Sequence, residues 1–399
     1  MAGVCMQERT NAADSFPSWY PRTLLNRPFD PSKFANGLPS SWGRLFGWNY
    51  ISALKPNWWN EEHEGRWGAW PKAITSVEVM SEDRFGIVLH LNEAWVAHLY
   101  PFQTGKEVST LALFEPWSAS LAGAPVLLPV AGQTNEHGDQ LVVFEMHACL
   151  APVEVMKRSH DLVRAAGRVQ AALVDHATPN TERRWNERLK SIEGQLKTTT
   201  LWRAPHTKHV VGLPTMYISL DGVVASSHGL KLVPRPRSLV DHLLAPGERL
   251  PGISLIAMLE QRLSFQGGFA SLESREAFYR AWGEVVPVSW TSRSALSTVN
   301  GGIWIWRYEA ILLMLAEARA YGLTSQGAQC DRWLLDVSRI QARLGELRMI
   351  HAVRKGALYA AIAAALIGSG PLQIPFIAGS LGVGGAAHLV HRRRTPPPY

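Results

Sequence analysis

Few residues in this chain have both the type and the spacing to do chemistry. His206 and His209 stand three apart beside Pro205, and Asp241-His242 follows some thirty residues later. Brought together by a fold, imidazoles and a carboxylate would form a metal site or a general acid–base set. His206, His209, Asp241 and His242 are therefore the catalytic candidates, weighed against plain surface histidines. His147 and Cys149, two apart on an expected strand, share a face and offer two ligands to one ion. No third ligand stands at a diagnostic spacing, so a surface histidine and a buried thiol are the simpler reading.

Other strings stop short of a mechanism. Glu61-Glu62-His63-Glu64 opens an HExxH pattern whose closing position is Trp67, which cannot ligate a metal. His176-Ala177-Thr178 is a single HxT without a second copy. Gly382, Gly384 and Ala387 spell GxGxxA, but twelve residues follow, too few for a dinucleotide-binding unit. Glycines there suit the close approach of another helix. No GxxxxGK[ST] and no GxSxG string occurs. The sequence names no reaction, leaves open whether the protein is an enzyme, and leads us to expect neither a cofactor nor a metal.

The elements that would position these residues are easier to read. The chain has 399 residues, 46% of them apolar and only 18% charged, against about 25% charged in an average soluble protein. Three scattered cysteines, Cys5, Cys149 and Cys330, argue against a disulfide framework and against a paired-cysteine zinc site. The first seventeen residues carry Glu8, Arg9 and Asp14 and no apolar run, unlike a secretory signal, so a cytoplasmic body is expected. Residues 1–150 hold 10 basic and 15 acidic side chains, and residues 151–399 hold 30 and 18. Basicity thus belongs to the C-terminal part, where anionic lipid and nucleic acid are the polyanions it would meet.

An α+β organisation follows. Residues 1–72 read as an irregular arm with seven of the sixteen tryptophans and many prolines, packed by Trp42, Trp48, Trp58, Trp59, Trp67 and Trp70. Residues 73–151 read as a β-rich domain, with strands expected from Thr75, from Gly86 and from Gln140, and a turn at residues 135–139. The apolar run 111–131 contains Glu115, Pro116, Pro125 and Pro129, which a spanning helix would not tolerate, and is expected as buried strands and turns. Residues 152–327 read as a mixed, mainly helical domain. One of its helices has an outer charged face of Arg183, Arg184, Glu187, Arg188 and Lys190, and Asp221-Gly222 marks a hairpin. The helix after Gly302 is apolar nearly all round and should lie at the centre. Residues 328–355 form an amphipathic basic helix whose seam is Trp333, Val337, Ile340, Leu344, Leu347 and Met349 or Ile350. Residues 356–391 form an apolar hairpin and residues 392–399 a basic, proline-rich tail.

That hairpin is the strongest functional signal. Residues 356–390 contain no Asp, Glu, Lys or Arg, more than the roughly 20 residues one helical span needs. Gly368, Ser369, Gly370 and Pro371 break the run in two, and Pro375 reinforces the break. Positive residues bracket both ends, so an entering and returning hairpin keeps Arg348, Arg354, Lys355, Arg392, Arg393 and Arg394 together at anionic headgroups. Leu358, Ile362, Leu366, Phe376, Ile377, Leu381 and Val383 are the expected membrane contacts. Gly379, Gly382 and Gly385 offer a face for self-association. The expected function is a cytosolic protein that inserts or anchors through this hairpin, extended to an oligomerising, membrane-perturbing effector. A membrane-localised enzyme and a soluble assembly component with a buried tail are the alternatives. Nucleic acid is the less favoured partner.

Overall fold

The computed structural model describes residues 38–40, 43–47, 53–83, 86–100, 102–104, 114–134, 140–179, 182–196, 211–214, 217–235, 238, 240–241, 249–269, 271–292, 295–297 and 302–395. Trp42, Trp48, the 135–139 turn and the proline-rich end lie outside them. The protein is α+β: antiparallel sheet first, then mostly helix, closing on two apolar helices.

The main sheet owes its two-sidedness to strands that are apolar on both faces. It contains β3 (Arg66–Gly68), β4 (Val77–Asp83), β5 (Gly86–Leu91), β6 (Trp95–Tyr100), β8 (Ala131–Thr134) and β9 (Gln140–Glu145), in the order β3-β8-β9-β6-β5-β4, every pair antiparallel. Side chains alternate across the pleat, so Leu89, Ala97, Leu99, Leu141 and Val143 face a small core with Trp59 and Ile74. Val142 and Phe144 face the opposite way, into the large core shared with the helices. Three further strands, β1 (Leu38–Ser40), β2 (Gly43–Gly47) and β7 (Phe102–Thr104), form a separate sheet.

Trp59, on the one-turn helix α1 (Pro56–Asn60), is fully buried and donates its indole N–H to the Ala53 carbonyl at 2.7 Å. Trp70 stacks on it at 5.3 Å, and the Arg66 guanidinium lies 3.9 Å from the Trp70 ring centre. His63 stacks on Trp58 at 4.8 Å. The acidic string around His63 is thus the rim of an aromatic packing cluster.

Two expectations in this region change. The run 111–131 contains the helix α2 (Phe114–Leu121), which includes Pro116, where strands and turns were expected. Strand β9 ends at Glu145, so His147 and Cys149 follow it and do not share a strand face.

The helical part contains α3 (Pro152–Lys157), α4 (Ser159–Ala172), α5 (Glu182–Leu196), α6 (Gly252–Phe265), α7 (Leu272–Gly283), α8 (Val288–Thr291) and α9 (Trp304–Tyr321). Helix α9 is apolar nearly all round, buries all but its first, sixteenth and last residues, and ends on Gly322 in the left-handed conformation at φ 71°. Ser271 caps α7 through a reciprocal pair with Ser274. Short strands β10 (Thr178–Pro179), β11 (Val211–Pro214) and β14 (Arg249–Pro251) make a small sheet among the helices, and β12 (Val223–Ser226) pairs with β13 (Gly229–Leu232). That hairpin turns at Ser227-His228, into Gly229 at φ 124°, and Asp221-Gly222 precedes it as a separate turn. The turn chemistry was right and the strand it was meant to join is absent, since residues 217–220 contribute only a bridge at Tyr217.

Helix α10 (Thr324–Leu335) leads into α11 (Val337–Ile367), and α12 (Gln373–Arg394) returns. Val337, Ile340, Leu344 and Leu347 are buried at steps of three and four, with Val337, Ile340 and Leu344 in the large core, so the first half of α11 is a helix lying on the body. Gly356 does not break it. The helix runs on into the apolar segment as one 31-residue rod of about 46 Å. Pro375 falls in the first turn of α12 and starts that helix.

Candidate membrane-docking site

Two regions deserve a functional reading, the C-terminal hairpin and the polar interior of the helical body. The hairpin's internal seam is built from small residues. On α12 only Gln373, Ile377, Ser380, Gly384, Ala387 and His391 are shielded, at alternating steps of four and three. On α11 the matching shielded positions are Arg354, Ala357, Ala360, Ala361 and Ala364. This is the spacing of two helices packing at a shallow angle, and Ala, Gly and Ser let the backbones come close. A Cβ on Gly384 would lie 3.5 Å from the Ala357 Cβ.

Polar contacts fix the register. At the turn, the Gln373 amide donates to the Ala364 carbonyl at 2.9 Å and caps the end of α11. One Arg354 guanidinium nitrogen donates to His388 Nδ1 at 3.2 Å. The His351 and His391 rings lie 5.8 Å apart. Arg394 pairs with Glu346 and accepts from Arg343 at its carbonyl, 2.9 Å away. The helices are therefore antiparallel, and Arg348, Arg354, Lys355, Arg392, Arg393 and Arg394 gather at one end.

The outer faces are apolar and bare. Among the described residues, fourteen of the twenty-two exposed large apolar side chains lie on α11, α12 and their turn. Leu366, Ile367, Leu372 and Ile374, flanking the turn, are each 78–84% exposed. Leu358, Ile362, Phe376, Leu381 and Val383 are exposed too, while Ile377 is half-shielded by the seam. Gly379, Gly382 and Gly385 point into open space. Both helices are long and apolar enough to cross a membrane, with mean hydropathy of 1.4 and 1.3 over their best stretches. Soluble surfaces rarely carry a patch of this extent.

The polar interior of the body serves structure. Arg188, expected on an outer face, is buried on α5. Its guanidinium meets Asp241 at 2.8 Å and Glu309 of α9 at 2.5 Å, and Ser254 donates to Glu309 at 2.9 Å. Burial alone would lower the Arg188 pKa, and the two carboxylates more than reverse that, raising it above its ordinary value. Glu260 of α6 takes two hydrogen bonds from Arg307, at 2.6 and 2.7 Å, and one from Tyr279 at 2.7 Å. Burial and then Glu260 push the Tyr279 hydroxyl well above its usual value. Arg262 joins Glu317 at 2.9 Å. These pairs pin α5, α6, α7 and α9 to one another.

Asp241 is accordingly the only one of the four catalytic candidates inside the described residues, and it belongs to the Arg188 cluster. His206, His209 and His242 lie outside. A cavity of about 50 Å³ opens beside the cluster, walled by Val169, Leu173, Leu213, Leu250 and Met258. The Gln170 side chain at its edge is held by the Gly252 carbonyl and the Trp282 indole. Neither described cysteine is poised as a nucleophile. Burial raises the Cys149 thiol, and burial with Asp331 and Glu317 pushes Cys330 up to about 12. His176 shares a 2.7 Å hydrogen bond with Ser120. Among the described residues no three His, Cys, Asp or Glu side chains group to hold a metal ion.

No family model matches the chain, and no curated protein matches it. Among solved structures it is similar to a glucosamine kinase, at TM-score 0.43 and 11% identity over 69% of this chain and 78% of that one. It is also similar to the GDP complex of wild-type aminoglycoside 2'-phosphotransferase-IIIa, at 0.36 and 11% over 68% and 93%, and to a Plasmodium vivax ethanolamine kinase, at 0.36 and 9% over 80% and 83%. Likeness at this level assigns no chemistry to the chain.

Proposed function

We propose that the protein is anchored in a membrane by the α11–α12 hairpin, with its α+β body held on the side where both helix ends lie. The observation that carries this reading is the exposure of apolar side chains all round the outside of the hairpin. A tail stored within its own body would have buried that surface.

The energetics favour lipid. Full burial of a large apolar side chain is worth about 1.5–3 kcal/mol, so half-exposed residues regain roughly 1 kcal/mol each on entering hydrocarbon. Fourteen such residues put the gain for the hairpin on the order of 10 kcal/mol. Leu358, Ile362, Leu366, Phe376, Ile377, Leu381 and Val383 are its lipid contacts in this proposal. Arg348, Arg354, Lys355, Arg392, Arg393 and Arg394 hold anionic headgroups. The body's orientation over the surface is set by α11, since one uninterrupted helix belongs to both parts.

Flotation with lipid vesicles tests this. The full chain should float with vesicles containing phosphatidylglycerol, and a chain ending at Arg354 should stay at the bottom of the gradient. Equal flotation of the two would refute the assignment.

A further inference from the structure

We infer that each arm of the hairpin crosses the whole hydrocarbon layer, bringing the turn at residues 368–371 to the opposite headgroup region. This rests on the anchoring reading and goes beyond it. Measured from Lys355, α11 offers only residues 356–367, about 18 Å, which would leave the turn inside the far leaflet. Three features argue for a deeper seat.

The bare apolar surface does not stop at Lys355. Val353 and Met349 continue it down α11 at 46% and 63% exposure, and Leu389 and Val390 continue it on α12 at 57% and 40%. The cross-helix contacts then level the two ends, since His351 lies opposite His391. From that level, residues 350–367 and 373–390 are eighteen residues each, about 27 Å per arm. With the turn added, the hairpin matches a hydrocarbon core of about 30 Å.

The turn itself points the same way. Its backbone leaves the helical conformation at Gly368 and reaches φ 115° at Gly370. Non-helical backbone facing lipid tails leaves amides without partners, a cost that vanishes once the turn reaches headgroup water. Arg354 and Lys355 then sit within about one helical turn of the near interface. Arg354 keeps its hydrogen bond to His388 in the seam, and Lys355 is exposed on a long stem. A side chain of the length of Lys355 extends its charge to the headgroups while its carbons stay in the core.

The test uses a chain with Cys5→Ser and Cys149→Ser, to which either Ser369→Cys, in the turn, or Ser227→Cys, in the exposed β12–β13 turn, is added. Each is inserted into phosphatidylglycerol-containing vesicles holding a membrane-impermeant maleimide in the lumen. Flotation is scored on the same sample. The inference expects the Ser369→Cys thiol to be labelled from the lumen in intact vesicles, and the Ser227→Cys thiol only by reagent added outside. If the chain floats but the Ser369→Cys thiol reacts only after detergent, the arms stop inside the bilayer. That result overturns the inference and leaves anchoring intact. A chain that does not float overturns both.

Discussion

Gly384 and Gly382 are two residues apart on one helix and face opposite surroundings, the first Ala357 across the seam and the second open space. Gly384→Leu should wedge the helices apart, while Gly382→Leu should leave their pairing intact. Disulfide trapping between substituted cysteines at Ala361 and Ser380, two shielded seam positions, would show the contrast as slowed closure only in the first variant. In the body, Arg188→Met strands Asp241 and Glu309 without their shared cation. Breaking a buried pair this way costs about 3–5 kcal/mol, which a urea titration of the full chain would register as an earlier midpoint. His98 supplies a pH signature. Burial, then Arg235 and His147, hold its pKa well below 6.5. As pH falls through about 6.5 the unfolded chain gains a proton there that the folded chain refuses, so the contribution destabilises on acidification. The melting temperature should drop between pH 7.5 and pH 5.5, and His98→Gln should flatten that drop.

At the scale of elements, the legible parts were those where a single period ruled. Helix α9 emerged at its expected limits because apolar residues dominate nearly every face of it, and strands β4, β5 and β9 followed from alternation or short apolar runs. The two arms about Gly368–Pro371 were legible for the same reason, and α12 begins at Gln373. What escaped was context. Pro116 reads as a breaker but lies within a helix. Arg188 looks like one more charge on a charged helix, and only the fold brings Asp241 and Glu309 to it. Strand β6 buries Val96, Ala97, His98 and Leu99 in succession, and so lacks the alternation that marks a half-exposed strand. The candidate site divided likewise. Its charge and hydropathy were readable from composition, whereas the seam of Ala357, Ala361 and Ala364 against Ser380, Gly384 and Ala387 depends on register that only contacts set. The basic residues gathered at the open end of the hairpin make an electrostatic prediction at this scale. Each Lys or Arg near an anionic surface is worth about 1 kcal/mol. Arg392→Gln with Arg393→Gln should therefore weaken binding to anionic vesicles about thirtyfold, with little change on neutral ones, and salt should shrink the difference.

For the molecule as a whole, the proposed anchoring would join the α+β body to a bilayer through one continuous helix. Buried ion pairs lock α5, α6, α7 and α9, α11 lies on that assembly through Val337, Ile340 and Leu344, and the same helix carries the apolar arm outward. In the proposed seating the body's height and tilt over the surface would follow from helix geometry, since α11 runs unbroken from one part to the other. Backbone hydrogen exchange, followed with and without phosphatidylglycerol-containing vesicles, tests the central claim most directly. Residues 356–390 of both arms should become strongly protected on adding vesicles, while α4, α6 and α9 exchange as before. Unchanged exchange across 356–390 in the presence of vesicles would contradict it.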